Sequence, residues 1–348
     1  MLERIGWDDE VAAAYARWEA PDAVAGRVVR VDRGVVQVLT EAGPVRSSLG
    51  GTVLADLATE PTSGPTTGDW VVLRSWPDHR STVEHVLPRR TALTRAGAGK
   101  SSHGQALVAN ADVVAVVVAL HPEPVVAKVE RLLALAWESG AEVVLVLTKA
   151  DLVGDADLVA EDLGAVAPGA RVLVTSTVTG EGVEALRALA ATGTLALVGA
   201  SGHGKSSLTN ALVGAEVLAT RAIREDGRGR HTSVRRELVP LPGGGAVVDT
   251  PGLRGVGLLD AADGLARVFA DIDSLAEHCR FEDCAHGQEP GCAVTAAVAG
   301  GSLPVRRYES WQRLQRELDR ETRRAESRLR TERRRARTDR TRRRTEDG

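Results

Sequence analysis

Residues Leu195 to Leu208, LALVGASGHGKSSL, constrain this chain more than any other stretch. The apolar run Leu195-Ala196-Leu197-Val198 predicts a buried strand. It passes directly into Gly199-Ala200-Ser201-Gly202-His203-Gly204-Lys205-Ser206, which fits the phosphate-binding pattern G-x-x-x-x-G-K-[ST]. Ser207 to Leu212 then carry a helix signal. The chemistry explains the residue types. Glycines let consecutive backbone N–H groups turn in on phosphate oxygens, Lys205 brings a positive charge to the β- and γ-phosphates, and Ser206 offers a hydroxyl to Mg²⁺. The start of the helix adds its partial positive charge. A glycine turn that merely precedes a lysine would need neither the strand nor the helix. Gly97-Ala98-Gly99-Lys100-Ser101-Ser102 also contains G-K-S, but Thr94 stands where the first glycine is required and no apolar strand precedes it, so it is read as a flexible connector.

At 348 residues the chain is long enough for two or three domains, each with its own core. MLERIGWDDE is acidic and lacks the apolar segment of a signal peptide, and no apolar run approaches the length of a membrane span. A cytoplasmic protein without membrane contact, acting as a monomer, is the expectation. The net charge of −3 hides an asymmetry: from Arg306 onward there are 17 arginines against 9 acidic residues, a surplus of 8, which leaves residues 1–305 at −11. A basic tail on an acidic body suggests a polyanionic partner met at one end.

Residues 1 to about 20 predict a short helix. Five β-rich runs follow, at 26–31, 34–39, 45–48, 69–76 and 82–86, separated by Gly, Pro and Asp clusters. Five short strands in so few residues suit a small closed barrel such as the OB-fold, which often binds oligonucleotides; a barrel without a ligand is the competing reading. Beyond a connector at about 88–106 the rhythm becomes β/α. Strands are expected at 113–119, 143–147, 172–175, 195–198 and 246–248, with helices at 125–139, 155–165 and 182–191. The fold class is therefore multidomain α/β: an OB-like barrel over 1–92, a doubly wound domain over 93–258, a helical module over 259–315 and a basic tail over 316–348.

Thr148-Lys149-Ala150-Asp151, at the end of a predicted strand, supplies the base preference. An aspartate there can accept from guanine's ring N–H and exocyclic amine, whereas adenine presents the opposite pattern and leaves the carboxylate unpaired. The Lys149 stem can lie along the base, Ala150 completes the string, and Thr175-Ser176-Thr177 suits a loop whose backbone, at Ser176, touches the base edge. Asp249-Thr250-Pro251-Gly252 ends another strand; its aspartate suits Mg²⁺ through water, and the Gly252 N–H suits a γ-phosphate. Residues 226–233, DGRGRHTS, form a glycine-broken loop that can order around the same phosphate. The order is unusual: the base-reading motifs precede the phosphate loop, and both candidate switches follow it. Such a chain is circularly permuted.

The permuted order, the GRHTS loop, DTPG, a preceding barrel and a following Cys/His cluster together resemble the RsgA (YjeQ) family of GTPases that depend on the small ribosomal subunit. The resemblance covers about residues 25–315. It implies hydrolysis of GTP to GDP, stimulated by the small subunit, in late small-subunit maturation, with the barrel and the metal module clamping rRNA. Leu253 occupies the position where Ras-like enzymes carry a water-orienting glutamine, and the resemblance points to His231 in that role. Arg228 and Arg230 flank it; an internal arginine finger and arginines reserved for RNA or solvent are both open. Thr148 replaces the family's usual Asn and is expected to loosen the tie between base loop and phosphate loop. Thr232, rather than Ser233, is favoured as a second hydroxyl for Mg²⁺. His203 replaces a small or apolar residue, and its ring is expected to point to solvent. An RNA-binding assembly scaffold with a GTP site used only as a timer is the alternative; a metabolic kinase is disfavoured by the guanine motif.

All three cysteines lie between Cys279 and Cys292, and an odd number in such a chain argues for metal ligands over disulfides. Cys279, Cys284, His286 and Cys292 make a Cys₃His set for one structural Zn²⁺, the resemblance favouring His286 over His278. That segment is too small for much of a core, so the metal would hold it folded. From Pro304, Tyr308, Trp311, Leu314, Leu318, Ala325 and Leu329 recur at helical spacing. Beyond Thr331 no apolar face continues, and disorder is expected there; arginines that grip RNA phosphates and a merely solvated tail are both open.

Overall fold

The computed structural model describes residues 1–18, 20, 22–96, 104–191, 193–216, 236–252 and 261–346. A short 3-10 turn, Leu2–Ile5, and helix α1 (Asp9–Ala16) open the chain. The Asp8 side chain caps α1 by accepting from the Val11 N–H at 3.0 Å. Strands β1 (Ala23–Asp32), β2 (Val35–Thr40) and β3 (Gly43–Leu49), helix α2 (Gly51–Thr59), and strands β4 (Trp70–Ser75) and β5 (Ser81–Val86) build a closed barrel of order β1-β2-β3-β5-β4. The alternating burial of β2 sends every second side chain inward. There Val28, Val36, Val38, Val71, Leu73 and Val83 meet Val53 of α2, a helix that the sequence pattern did not announce.

The connector is more ordered than expected. Strands β6 (Ala92–Ala96) and β7 (Gly104–Ala109) pair antiparallel within it, and the Gly97–Ser102 string lies outside the described residues. Next come β8 (Val113–Ala119), α3 (Val126–Glu138), β9 (Glu142–Thr148), α4 (Ala156–Gly164), β10 (Arg171–Val174), α5 (Val183–Ala190), β11 (Thr194–Gly199), α6 (Lys205–Val213), β12 (Glu237–Pro240) and β13 (Ala246–Asp249). They form one sheet of order β10-β9-β8-β11-β13-β12. All pairings are parallel except β12 with β13, so β12 is an antiparallel edge strand. Strands β8 and β11 are buried along their whole length because neighbouring strands flank them and helices cover both faces, which is why they read as unbroken apolar runs.

Helices α7 (Ala262–Val268), α8 (Ala270–Ala276), α9 (Ala293–Ala299) and α10 (Val305–Glu346) complete the chain. One expectation changes here, that of a disordered tail. Leu265, Phe269, Ile272, Val294 and Leu314 belong to the same continuous core as Leu133, Val116 and Leu145, so the C-terminal helices share a core with the sheet and have none of their own. The tail, expected to be disordered beyond Thr331, continues as one helix to Glu346. Its many arginines are good helix formers, and that propensity outweighs the missing apolar face.

Arg27 joins three parts of the chain from inside. It is 1% exposed, and its guanidinium donates to the Ile5 carbonyl, to Gly68 O at 3.3 Å and to Asn110 O at 3.0 Å, while lying 4.8 Å from the Trp70 ring. Burial pulls its pKa down to about 10, so it stays charged at neutral pH. Arg27→Met removes the donor to the Ile5 and Asn110 carbonyls, while Gly68 O keeps the Asn110 side-chain amide. It should lower unfolding stability by about 2–3 kcal/mol, read as a drop in the urea midpoint. A midpoint within error of the parent would show that the three contacts contribute nothing.

Candidate functional site

Strand β11 ends at Gly199, in the middle of the sheet, and α6 begins at Lys205. Residues Ala200, Ser201, Gly202, His203 and Gly204 make the loop between them, and Lys205, Ser206 and Ser207 form the first turn of α6. Gly204, at φ +87°, sits in the left-handed region that turns the chain into the helix. The Lys205 ammonium is buried and donates to Gly199 O at 3.1 Å and Ala200 O at 2.9 Å. It lies where the loop wraps, held by carbonyls that a phosphate would replace.

Strand β13 neighbours β11 in parallel, and its last residue is Asp249. The Ser206 hydroxyl donates to Asp249 Oδ2 at 2.7 Å. Asp249 is 3% exposed, and its Oδ1 is buried with no hydrogen-bond partner. Burial raises the Asp249 pKa, opposed by the Ser206 hydroxyl and by Lys205; burial lowers the Lys205 pKa, opposed by Asp249. An orphaned carboxylate oxygen beside a hydroxyl is a donor set that fits a hard divalent cation. Gly252 presses on the same loop: a Cβ there would stand 2.5 Å from the Ser201 nitrogen, so a side chain is excluded where the two segments converge.

On the other side of β11, strand β8 separates it from β9, whose last residue is Thr148. Lys149 adopts φ +62° and donates to His121 O at 3.3 Å; Ala150 and Asp151 form a 3-10 turn, Ala150–Leu152. Ser176, just past β10, donates from its hydroxyl to Asp151 Oδ1 at 2.6 Å and accepts from the backbone N–H groups of Val178 and Thr179 at 3.2 Å. The Ala150 N–H donates to Thr175 O at 3.2 Å. One carboxylate oxygen of an exposed aspartate is thus fixed, and the side chain is oriented at the rim of the sheet, where a planar base can dock.

Two features differ from the sequence reading. The Thr148 hydroxyl donates to His203 O at 2.8 Å, so the base loop remains tied to the phosphate loop despite the absence of asparagine. The His203 ring does not point freely to solvent: its Nδ1 lies 3.0 Å from Val117 O, and burial, followed by Lys205 and other lysines, lowers its pKa despite that hydrogen bond. The carbonyl at the end of β8 offers a partner that the one-dimensional pattern does not show. His231, Thr232, Ser233, Arg228, Arg230 and Leu253 lie outside the described residues.

Between α8 and α9, Cys279, Cys284, His286 and Cys292 converge, with ligand atoms all within 4.8 Å of one another. Cys279 Sγ stands 3.9 Å from Cys292 Sγ and 3.5 Å from His286 Nδ1, and Cys292 Sγ stands 3.6 Å from the same nitrogen. Ligands about 2.3 Å (sulfur) and 2.0 Å (nitrogen) from a tetrahedral centre would be separated by such distances, so the set fits one closed metal site. Tyr308 of α10 donates to the His286 carbonyl, locking the loop to the long helix. His278 instead places Nδ1 3.0 Å from Ser274 O.

Residues 86–259 match the family model described as RsgA GTPase. A Streptomyces coelicolor protein named small ribosomal subunit biogenesis GTPase RsgA is 49% identical over 333 residues, covering 94% of this chain and 90% of that one. The crystal structure of YjeQ from Thermotoga maritima superposes with a TM-score of 0.61 at 28% identity, covering 85% of this chain and 98% of that one. A structure titled YloQ, a circularly permuted GTPase, superposes with a TM-score of 0.57 at 24% identity, covering 85% and 95%, a likeness of fold.

The hydrogen bond from Thr148 to the phosphate loop generates a test. Thr148→Val keeps shape but removes the donor, and should weaken GTP and GDP about 5- to 10-fold, the scale of one hydrogen bond. The preference for guanine over adenine should persist, since Asp151 and Ser176 are untouched. Competition titrations with labelled nucleotide measure both quantities, and unchanged affinity would show the tie to be idle in binding.

Proposed function

The chain belongs to the RsgA family of GTPases, and on that premise we propose that it hydrolyses GTP to GDP and phosphate in the maturation of the small ribosomal subunit. The observation that carries this reading is the placement of three functions along one sheet edge. The phosphate loop after β11 lies between Asp151, reached through β8 and β9, and Asp249, at the end of β13. A guanine nucleotide laid along that edge would present its base to Asp151 and Ser176, its phosphates to residues 199–206, and its terminal phosphate to Gly252.

Lys205 would exchange its two loop carbonyls for phosphate oxygens, and Ser206 with Asp249 would hold Mg²⁺, Thr232 adding the second hydroxyl. The cation supplies neutralisation of charge on the phosphates being separated. His231 would orient the attacking water, the role that Leu253 cannot fill. The barrel and the metal module, with the arginines of α10, would grip rRNA, and the small subunit would accelerate a turnover that is slow alone. Cys279, Cys284, His286 and Cys292 would bind one structural Zn²⁺, leaving no open position for catalysis. Among the described residues no helix is long and apolar enough to cross a membrane; a cytoplasmic monomer accords with this role.

Two outcomes are expected. Multiple-turnover assays should show GTP hydrolysis that rises on adding small subunits, and His231→Ala should keep GTP binding while losing about 100-fold in the stimulated rate, within the range for a proton-handling side chain. A rate that ignores small subunits would favour the timer scaffold, and an undiminished rate in the variant would remove His231 from the mechanism. Metal analysis should find one zinc per chain, and Cys284→Ser should lower both that content and the melting temperature. A full melting temperature without zinc would contradict the structural role.

A further inference from the structure

Arg236 precedes β12, the edge strand that lies against β1 of the barrel. Its Nε is buried and has no hydrogen-bond partner. The other enclosed arginines are satisfied: Arg27 by three carbonyls, Arg89 by both oxygens of Asp69 at 2.8 Å, and Arg307 by Asp271 at 2.7 Å and Glu130 at 3.0 Å. Among the described residues, the charge that acts on Arg236 is that of another cation, Arg95. Burial, then Arg95, pulls the pKa of Arg236 down to about 10, so it remains charged at neutral pH. An arginine N–H withdrawn from water without an acceptor carries a desolvation cost that a bound anion would relieve.

The space for that anion is present. Arg236 lines a cavity of about 340 Å³ between the barrel, the loop after α2 and β7. That size falls in the range of small-molecule sites, about 300–1,000 Å³. Val35, Leu49, Leu57 and Pro65 supply an apolar wall, and Gln105 adds an amide held by Arg95 Nη2 at 2.9 Å. The carboxylate on the lining, Asp32, is engaged by Arg30 at 2.9 Å. Among the described residues, then, an arginine whose Nε–H has no acceptor lines a half-apolar recess, a combination suited to a phosphate attached to a flat ring.

We propose that this cavity is a second nucleotide-unit site, separate from the phosphate loop, in which Arg236 holds a phosphate and the Leu57 wall takes the base or sugar. It would accept either a nucleotide of single-stranded RNA or a free mononucleotide, since the chemistry recognised is shared.

Calorimetric titration of the full chain tests this, with saturating GDP and Mg²⁺ occupying the phosphate loop. The probes are uridine 5′-monophosphate and a six-nucleotide single-stranded RNA. Arg236→Gln should weaken the bound probe at least ~10-fold, the scale of a charge-assisted hydrogen bond, and Arg236→Lys should lose less. Leu57→Trp, which fills the recess and leaves the arginine in place, should reduce binding as well. Binding of the mononucleotide would identify a free nucleotide as a sufficient ligand; binding of the RNA alone would identify a nucleic-acid unit. Absence of binding by both probes, or binding indifferent to Arg236→Gln and Leu57→Trp, overturns the proposal. Melting curves and GDP affinity in the same preparations report folding and the guanine site separately.

Discussion

The structure depends on where β11 sits. With β8 on one side and β13 on the other, both parallel to it, this buried strand can deliver the phosphate loop only at the carboxyl edge of the sheet, between the loops that follow its neighbours. Everything chemical then follows from adjacency. The hydroxyl at the start of α6 reaches Asp249 because β13 is next door, and the carbonyl of His203 reaches Thr148 because β9 is only one strand further away. The sheet order ignores the order of motifs in the chain, so a permuted sequence can assemble a site whose parts occur in an unfamiliar succession. The cost is concentrated at two buried charges of opposite sign, Lys205 and Asp249, which burial pushes toward neutrality and which a phosphate with its cation would satisfy.

Much of this was legible in the residues because it rests on local rules. Buried parallel strands announce themselves as apolar runs, and the phosphate loop announces itself by glycine spacing and by the strand and helix around it. What escaped was set by contacts distant in sequence. The threonine at 148 looked like a weakened tie because only its type was visible; in space its shorter side chain still reaches the loop carbonyl. His203 looked like a solvent residue until the end of β8 put Val117 O beside it. Edge strand β12 carries only four residues, too few for a period to show, and α2 carries no capping residue. The pairing of β6 with β7 was hidden by glycines and serines that also suit a loose linker. Conversely, the missing apolar face of the tail was weighed too heavily, since helix propensity operates without one.

The flanking modules are joined to the nucleotide domain through its interior. Glu130 of α3 is fully buried, and it meets Arg307 and Ser310 of α10; Arg307 in turn pairs with Asp271 of α8 and lies over Phe269. Arg131, one residue along α3, forks onto Glu317 through two hydrogen bonds. A buried carboxylate of this kind tolerates little movement, because separating it from its arginine leaves a charge without compensation. Helix α3 and the base of α10 therefore move as one piece. Gly264 reinforces this: a Cβ there would stand 2.0 Å from Ala134 O, so α7 lies on α3 at backbone distance.

Circular permutation gives that rigidity a consequence. In this order, the chain after the first candidate switch enters β12, beside the barrel, and the chain after Gly252 leads toward α7, on α3. Each segment suited to sensing a terminal phosphate is continuous, within a few residues, with an element that touches a neighbouring module. Gly252, where the loop leaves no room for a side chain, is separated by nine residues of chain from α7, which lies on α3 beside the Glu130–Arg307 pair. Permutation thus places both candidate switch segments next to elements that touch the neighbouring modules.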